Sequence, residues 1–414
     1  MKIVYITQHF PPEIGAAQGR AYDMSKNLSI LGHDLLVLTS FPNSSSTNKL
    51  FKKETINDLK VYRSFRIKDT KTSSIRRLAN YLSFMISSTF SGLLAKKPDI
   101  IYATSPQLFQ GVTGYLLSRI HRAKFVFEVR DLWVDFAELL GQFNNKKLLN
   151  LARKLETFLY KKADLIVVVT NGYKSRLIEQ GIPEQKIIVI PNGVDPSSIK
   201  PYKKDPAIKK EYGIEDKFLV LYTGNIGAAQ GLQTVIAAAE QLKDDPSVFF
   251  LFIGEGVEKA ALKQQAEVSQ LKNILFLDSK KKDELTAFYH AADIGIVSLK
   301  KHPLFEITIP SKVFDYMAVS LPVLIGVDGE AREIVEKNQA GFYFEPENTA
   351  DFLRVLIYAQ SQQDKLQQIR PELPNKLLMS FNRKTMAEEL SEALNNLTDA
   401  TKQKLHKKTT KSHE

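Results

Sequence analysis

The densest run of reactive side chains lies between Lys300 and Ala318, where Lys300-Lys301-His302 precedes Glu306, Thr308, Ser311, Lys312 and Asp315. It follows the apolar run 294–298, so it falls past the carboxyl end of a strand, where open α/β sheets bind ligands. Pro310 suits the first turn of a helix, because its missing N–H would have no partner there. Ser311 and Lys312 then occupy that turn, where a lysine opposes the helix dipole unless an anion shares the place. One turn on, Asp315 can accept hydrogen bonds from sugar hydroxyls. The bland reading of the same stretch is a solvated charged turn.

Two further places suit anions. Gly15-Ala16-Ala17-Gln18-Gly19 and Gly227-Ala228-Ala229-Gln230-Gly231 share one pattern, each between an apolar run and a helical stretch. Glycine lets backbone approach a ligand closely, and helix N-termini offer free N–H groups. Gly15 and Gly227 are placed for that, although tight turns alone would also use them. Neither junction carries the dinucleotide fingerprint or a Walker lysine; only the second half has an acid, Glu255 after Gly254, just past its second strand. There is no Asp-x-Asp triplet, and the seven histidines show no metal-ligand spacing. Zero cysteines exclude disulfides, thiolate metal sites and a cysteine nucleophile. No metal or other cofactor is expected.

These groups need two scaffolds. Non-alternating apolar runs at 2–7, 34–39, 100–103, 125–129, 165–169 and 187–190, then at 218–222, 248–253, 274–277, 294–298 and 323–325, predict parallel strands buried on both faces. Eleven are too many for one compact open sheet. The Pro/Gly-rich, polar stretch near 195–212 divides them. The expected architecture is two doubly wound Rossmann-like domains, 1–197 and 207–380, facing across a cleft. A helix over 381–397 packs locally or returns to the first domain, and 398–414 is a basic tail. The N-terminus reads as a strand, not a signal peptide, and no run is long and apolar enough to span a bilayer.

The residues that carry a resemblance are Phe10-Pro11-Pro12-Glu13, Gly32-His33-Asp34, Phe127-Glu128-Val129-Arg130-Asp131-Leu132-Trp133 and Ile190-Pro191-Asn192-Gly193-Val194-Asp195. Gly224-Asn225-Ile226-Gly227, Ile253-Gly254-Glu255-Gly256 and Gly329-Glu330 complete the set. The chain resembles the retaining bacterial group 1 glycosyltransferases (family 4) of the GT-B fold. Gly-Asn-Ile-Gly with Pro310-Ser311-Lys312 is similar to the colanic-acid, capsule and O-antigen subset, including L-fucosamine transferases. The resemblance implies a metal-independent, hexosyltransferase-type enzyme using a nucleotide-sugar donor, a UDP-sugar foremost. It places the donor on the C-terminal domain and the acceptor on the N-terminal one. Donor contacts then fall to Gly15, Ala16, Asn225, Gly227, Gln230, Gly254, Glu255, Ser311, Lys312 and Asp315, and catalysis to Lys312, Glu306, Arg130 and Asp131.

This sequence departs from the family's pattern in several places. Of the two glutamates usual in the family, Asp315 takes the second place; Ile307 stands at the first, with Glu306 one residue early. The usual Arg and Lys against the diphosphate correspond to Asn225 and Gln230. Arg130 stands where many relatives have a histidine. Lys312 is therefore expected to supply the missing charge, assisted by N–H groups at Gly227 and near Ser311. Rival readings are a nucleotide-sugar 2-epimerase of the same fold and a noncatalytic nucleotide-sugar-binding protein.

The net charge of +11 is concentrated in places, with Arg63, Arg66, Arg76 and Arg77 falling within 60–77, before the uncharged stretch Leu78–Ala95. Such a pattern suits an anionic membrane interface, or equally a charged loop before a buried helix. A polyprenyl-diphosphate-linked saccharide acceptor on the inner, cytoplasmic membrane face would fit the first reading. No nucleic-acid-binding motif is present, so no nucleic-acid partner is expected.

Overall fold

The computed structural model describes residues 1–414 except 14, 46–48, 69–73, 106, 142–144, 204 and 411–414; side chains at 74, 282–283 and 400–410 are also outside the description. It divides into two compact units, Met1–Pro191 with Arg383–Glu414, and Asn192–Asn382.

The first unit runs β1 (Lys2–Ile6), α1 (Ala16–Ile30), β2 (Asp34–Ser40), β3 (Phe51–Ile56), β4 (Leu59–Ser64), α2 (Ser74–Gly92), β5 (Ile100–Thr104), α3 (Leu108–His121), β6 (Lys124–Val129), α4 (Trp133–Leu139), α5 (Lys146–Lys162), β7 (Leu165–Val168), α6 (Asn171–Glu179) and β8 (Ile187–Val189). Its eight strands lie in the order β3-β4-β2-β1-β5-β6-β7-β8. All neighbours are parallel except the β3–β4 pair. The order reverses between β1 and β5, which opens a crevice at their carboxyl ends.

The second unit runs α7 (Ala207–Glu211), β9 (Phe218–Thr223), α8 (Gln233–Gln241), β10 (Val248–Ile253), α9 (Lys259–Val268), β11 (Ile274–Leu277), α10 (Lys282–Ala291), β12 (Ile294–Ser298), α11 (Pro303–Glu306), α12 (Ser311–Ala318), β13 (Val323–Gly326), α13 (Glu330–Lys337), β14 (Gly341–Tyr343), α14 (Thr349–Ser361), α15 (Gln363–Ile369) and α16 (Leu373–Phe381). Its six parallel strands follow the order β11-β10-β9-β12-β13-β14, reversing between β9 and β12. Every residue of β9, β10 and β12 is buried, as uninterrupted apolar runs require of a sheet covered on both faces. Both units are Rossmann-like α/β sheets, in line with the expected fold class.

α17 (Arg383–Thr410) belongs to the first unit and packs on α1, and its Ser391 Oγ lies 2.7 Å from Nε2 of His33 in the turn that follows α1. The helical stretch expected to end at residue 397 continues to Thr410. The chain crosses between units at 191/192 and again at 382/383. α1 holds the chain beside both crossings: Arg20 donates to the carbonyls of Ile190 and Pro191, and Asp23 pairs with Arg383. Within the second unit the Val194 N–H donates to the Phe381 carbonyl at 2.9 Å.

Candidate functional site

The second unit's site forms where β9 and β12 part. Their pairing is limited to Ile294↔Val220 and Gly295↔Leu221, so beyond it the carboxyl ends separate. Tyr316 of α12 anchors the end of β9, accepting the Thr223 N–H at 2.9 Å. Gly295 makes room for that ring, since a Cβ there would stand 2.6 Å from it.

After β9 the chain turns at Gly224, whose φ of 110° favours glycine. A Cβ on Gly254 would lie 1.8 Å from the Gly224 carbonyl oxygen, and one on Gly256 would lie 2.0 Å from that of Ile226. The two loops are locked by Gly224 N–H to Ile253 O and Ile226 N–H to Glu255 O. The Tyr222 hydroxyl donates to the Asn225 carbonyl at 2.5 Å.

Lys312 leans into this loop. Its Nζ sits 4.9 Å from the Tyr222 ring centroid, and it is the nearest side chain to the missing Cβ of Gly224. Burial pushes its ammonium down to about 8, against the opposing pull of Asp315. Pro310 precedes the helix, Ser311 is its first residue, and the amides of Ser311 and Lys312 make no backbone hydrogen bond among the described residues. A first-turn lysine beside free N–H groups and a narrow backbone turn is a place for an anion. Asp315 is exposed one turn on.

The expectation for Gly227 needs correction. Gly227 does not open a long helix: it leads into a short 3₁₀ turn at Ala228–Gln230, and α8 starts only at Gln233. Its N–H donates to the side-chain Oε1 of Gln230 at 3.1 Å, so it is not free to assist Lys312 as expected. Asn225 is exposed, and Glu255 accepts from Lys259 Nζ at 2.9 Å. Glu306 is exposed at the end of α11 and lines a pocket of about 310 Å³ with His302, Asp328 and Tyr343, a lining that excludes Ser311, Lys312 and Asp315.

In the first unit Gly15 caps α1 and Ala16 begins it, both exposed. Arg130 and Asp131 follow β6, and both are half-buried. Burial pushes the Asp131 carboxyl up to about 6, against the pull of Arg130. Arg63 and Arg66, expected on an exposed basic face, are buried instead. Arg63 bonds Glu54 and the carbonyls of Ser40 and Pro11; Arg66 bonds Glu13, Asn43 and the Phe41 carbonyl. Arg76 is exposed and Arg77 half-buried.

Sequence reasoning missed two clusters. Fully buried Arg20 reaches fully buried Glu128 through Nε and Nη2 at 3.1 and 2.8 Å, and the Tyr102 hydroxyl donates to the same oxygen at 2.9 Å. Burial alone would raise Glu128, but the Arg20 charge holds it below the usual carboxylate range. At the carboxyl end of β1, His9 Nδ1 meets Glu13 at 3.1 Å, beside a buried amide chain of Gln8, Asn80, Gln107 and Gln110. The Phe-Pro-Pro-Glu and Phe-Glu-Val-Arg-Asp runs contained the signal for both, without their partners. Among the described residues, no three His, Asp or Glu side chains are grouped to hold a metal ion.

Residues 17–198 match the model of glycosyltransferase family 4, and residues 204–375 match that of the glycosyl transferases group 1. Together the two models cover most of the chain, from within α1 to within α16, and the chain belongs to this glycosyltransferase family, with the GT-B fold. Among its relatives is WcaI of Escherichia coli, named as a colanic acid biosynthesis glycosyl transferase. The two are 27% identical over 334 residues, covering 77% of this chain and 81% of WcaI. Sucrose-phosphate synthase from Thermosynechococcus elongatus shares the fold, with a TM-score of 0.75 at 16% identity, over 96% of this chain and 99% of that one. Anabaena HepE, solved with UDP-glucose, gives 0.71 at 18% identity, over 96% and 100%.

Proposed function

We propose that the protein transfers a hexosyl residue, with retention, from a UDP-sugar to a lipid-linked oligosaccharide during surface polysaccharide synthesis. The observation that carries this reading is the half-buried Lys312 ammonium beside the Gly224 turn, where β9 and β12 separate. Breaking a glycosyl–phosphate bond leaves negative charge on a diphosphate and positive charge on the anomeric carbon. A preorganised ammonium with the first-turn amides of α12 stabilises the departing diphosphate without metal. The free energy is favourable to the transition state because the lysine is partly desolvated before the charge arrives, so its Coulomb interaction is less screened.

Asp315 is the group for donor hydroxyls, Asn225 and Gly254 line the turn, and Glu306 stands nearby in sequence on the same carboxyl edge. Retention follows from attack on the face the diphosphate leaves, with the leaving phosphate taking the acceptor proton; Arg130 and Asp131 serve the acceptor side. The likeness to WcaI supports the polysaccharide assignment, and the structure of HepE with UDP-glucose supports a uridine donor.

The test is UDP release from a panel of UDP-sugars, with and without a polyprenyl-diphosphate-linked saccharide. Acceptor-dependent release with one donor is the expected result. Release that ignores the acceptor would move the assignment to an epimerase or hydrolase, and thermal stabilisation by the donor without turnover would move it to a binding protein.

A further inference from the structure

We propose that the face formed by α2 and the start of β3 docks on an anionic lipid bilayer. The inference deepens the reading above, on which its biological purpose rests, by naming the surface that meets the acceptor's lipid. The geometry stands on the first unit alone.

α2 packs on β2, β4 and α3, yet a row of its large apolar side chains faces outward. Ile75 is 81% exposed, Ile86 53% and Phe90 68%, at spacings that keep them on one helical side, and Leu50 at 73% extends the patch from the strand edge. Beside it runs an open apolar groove of about 580 Å³, lined by Leu50, Phe51, Phe65, Ile86, Phe90 and Leu94. Water solvates such a surface poorly, and contiguous exposed apolar area of this kind marks an interaction site.

Charge decides what covers it. Residues 70–98 contain no Asp or Glu. Lys68 and Arg76 are exposed and Arg77 half-buried at one end of the row, and Lys96 and Lys97 are exposed at the other. None of these five has an ion-pair partner among the described residues. An apolar stripe with cations at both ends and no acid matches a surface of hydrocarbon beneath negative headgroups. No described helix is long and apolar enough to cross a membrane, so α2 lies along the interface, and the groove faces the hydrocarbon.

Flotation of the full chain with vesicles tests this. Vesicles of phosphatidylglycerol and phosphatidylcholine at low salt should carry the protein, and pure phosphatidylcholine or high salt should carry roughly tenfold less. Ile86→Glu with Phe90→Glu should lower binding roughly tenfold or more, and Arg76→Glu with Arg77→Glu should remove most of the salt dependence. Ile178→Glu, on α6, should leave it unchanged. Thermal melts and stabilisation by UDP confirm that each variant is folded. Absence of binding to anionic vesicles, or equal binding by the Ile86/Phe90 variant, overturns the proposal. So does a dimer in sedimentation that this variant dissociates without lipid, which would make the face a contact between copies. Vesicle binding is read without sugar transfer, so failure of the enzymatic reading leaves this result intact, and the reverse.

Discussion

Lys312 Nζ stands 4.9 Å from the centre of the Tyr222 ring, so the cation of one helix start rests on the aromatic face of the neighbouring strand. The ring offsets part of the ammonium's lost hydration but replaces no counter-ion. Burial makes the group costly to keep charged, and that cost fits a role in binding an anion.

Replacing Lys312 with Met should therefore move stability and activity in opposite directions. The native ammonium titrates near 8, below the ordinary lysine value of 10.5, so between those pH values the unfolded chain holds more protons. Stability rises with pH across that window, and the lysine is most destabilising below 8. Lys312→Met should melt higher at pH 7, with the gain fading above pH 10. Donor turnover should fall roughly a hundredfold. A lower melting temperature with unchanged turnover would contradict both the geometry and the role.

In the unsubstituted protein the same titration predicts weaker binding of UDP as pH rises past 8, because the ammonium loses its proton. Calorimetric titration with UDP from pH 7 to about 10 checks this. Lys312→Met should flatten the profile.

Asp131 gives a second pH dependence, with the same origin in burial and the opposite sign. Burial raises its carboxyl to about 6, so between the ordinary 3.8 and 6 the native state holds more protons than the unfolded one. Its contribution to stability is complete below 3.8 and declines as pH rises through 6. Asp131→Asn should then be more stable at pH 7.5, on the order of 1 kcal/mol. If the carboxylate serves the acceptor, turnover of the native enzyme falls below pH 6 and the asparagine variant loses that limb.

Gly254 tests the backbone of the donor turn. An alanine methyl would need the space of the Gly224 carbonyl oxygen, 1.8 Å away, and neither strand end is free to retreat. Gly254→Ala should cost about 3 kcal/mol in denaturant unfolding and abolish stabilisation by UDP. A variant of native stability would mean that the two loops yield more easily than their hydrogen bonds imply.

The Arg20–Glu128 pair should respond to single and double replacement differently. Arg20→Met leaves a buried carboxylate without its main partner and should cost about 3–5 kcal/mol. Adding Glu128→Leu removes the stranded charge, and part of the stability should return. Urea unfolding of Arg20→Met, Glu128→Leu and the double variant measures the coupling.

Strands such as β9 and β10 were legible because Phe218–Tyr222 and Val248–Ile253 are apolar without interruption. β3 was not: Phe51-Lys52-Lys53-Glu54-Thr55-Ile56 lies on the sheet edge with little burial, so its composition reads as loop. The positions of Lys312 and Asp315 on the first turns of α12 were legible because helix-start chemistry is local. Arg63 and Arg66 were misread because their partners, Glu54 and Glu13, come from other elements, and charge counted along the chain cannot see them. Arg20 and Glu128 are 108 positions apart, and no short-range pattern distinguishes them from surface charges.

The attachment of both inter-unit crossings to α1 gives that helix a second role besides covering the sheet. Arg20 and Asp23, three residues apart, moor the outgoing and returning strands to one rod. Fraying it would slacken both tethers together, so α1 sets how much free length either linker has.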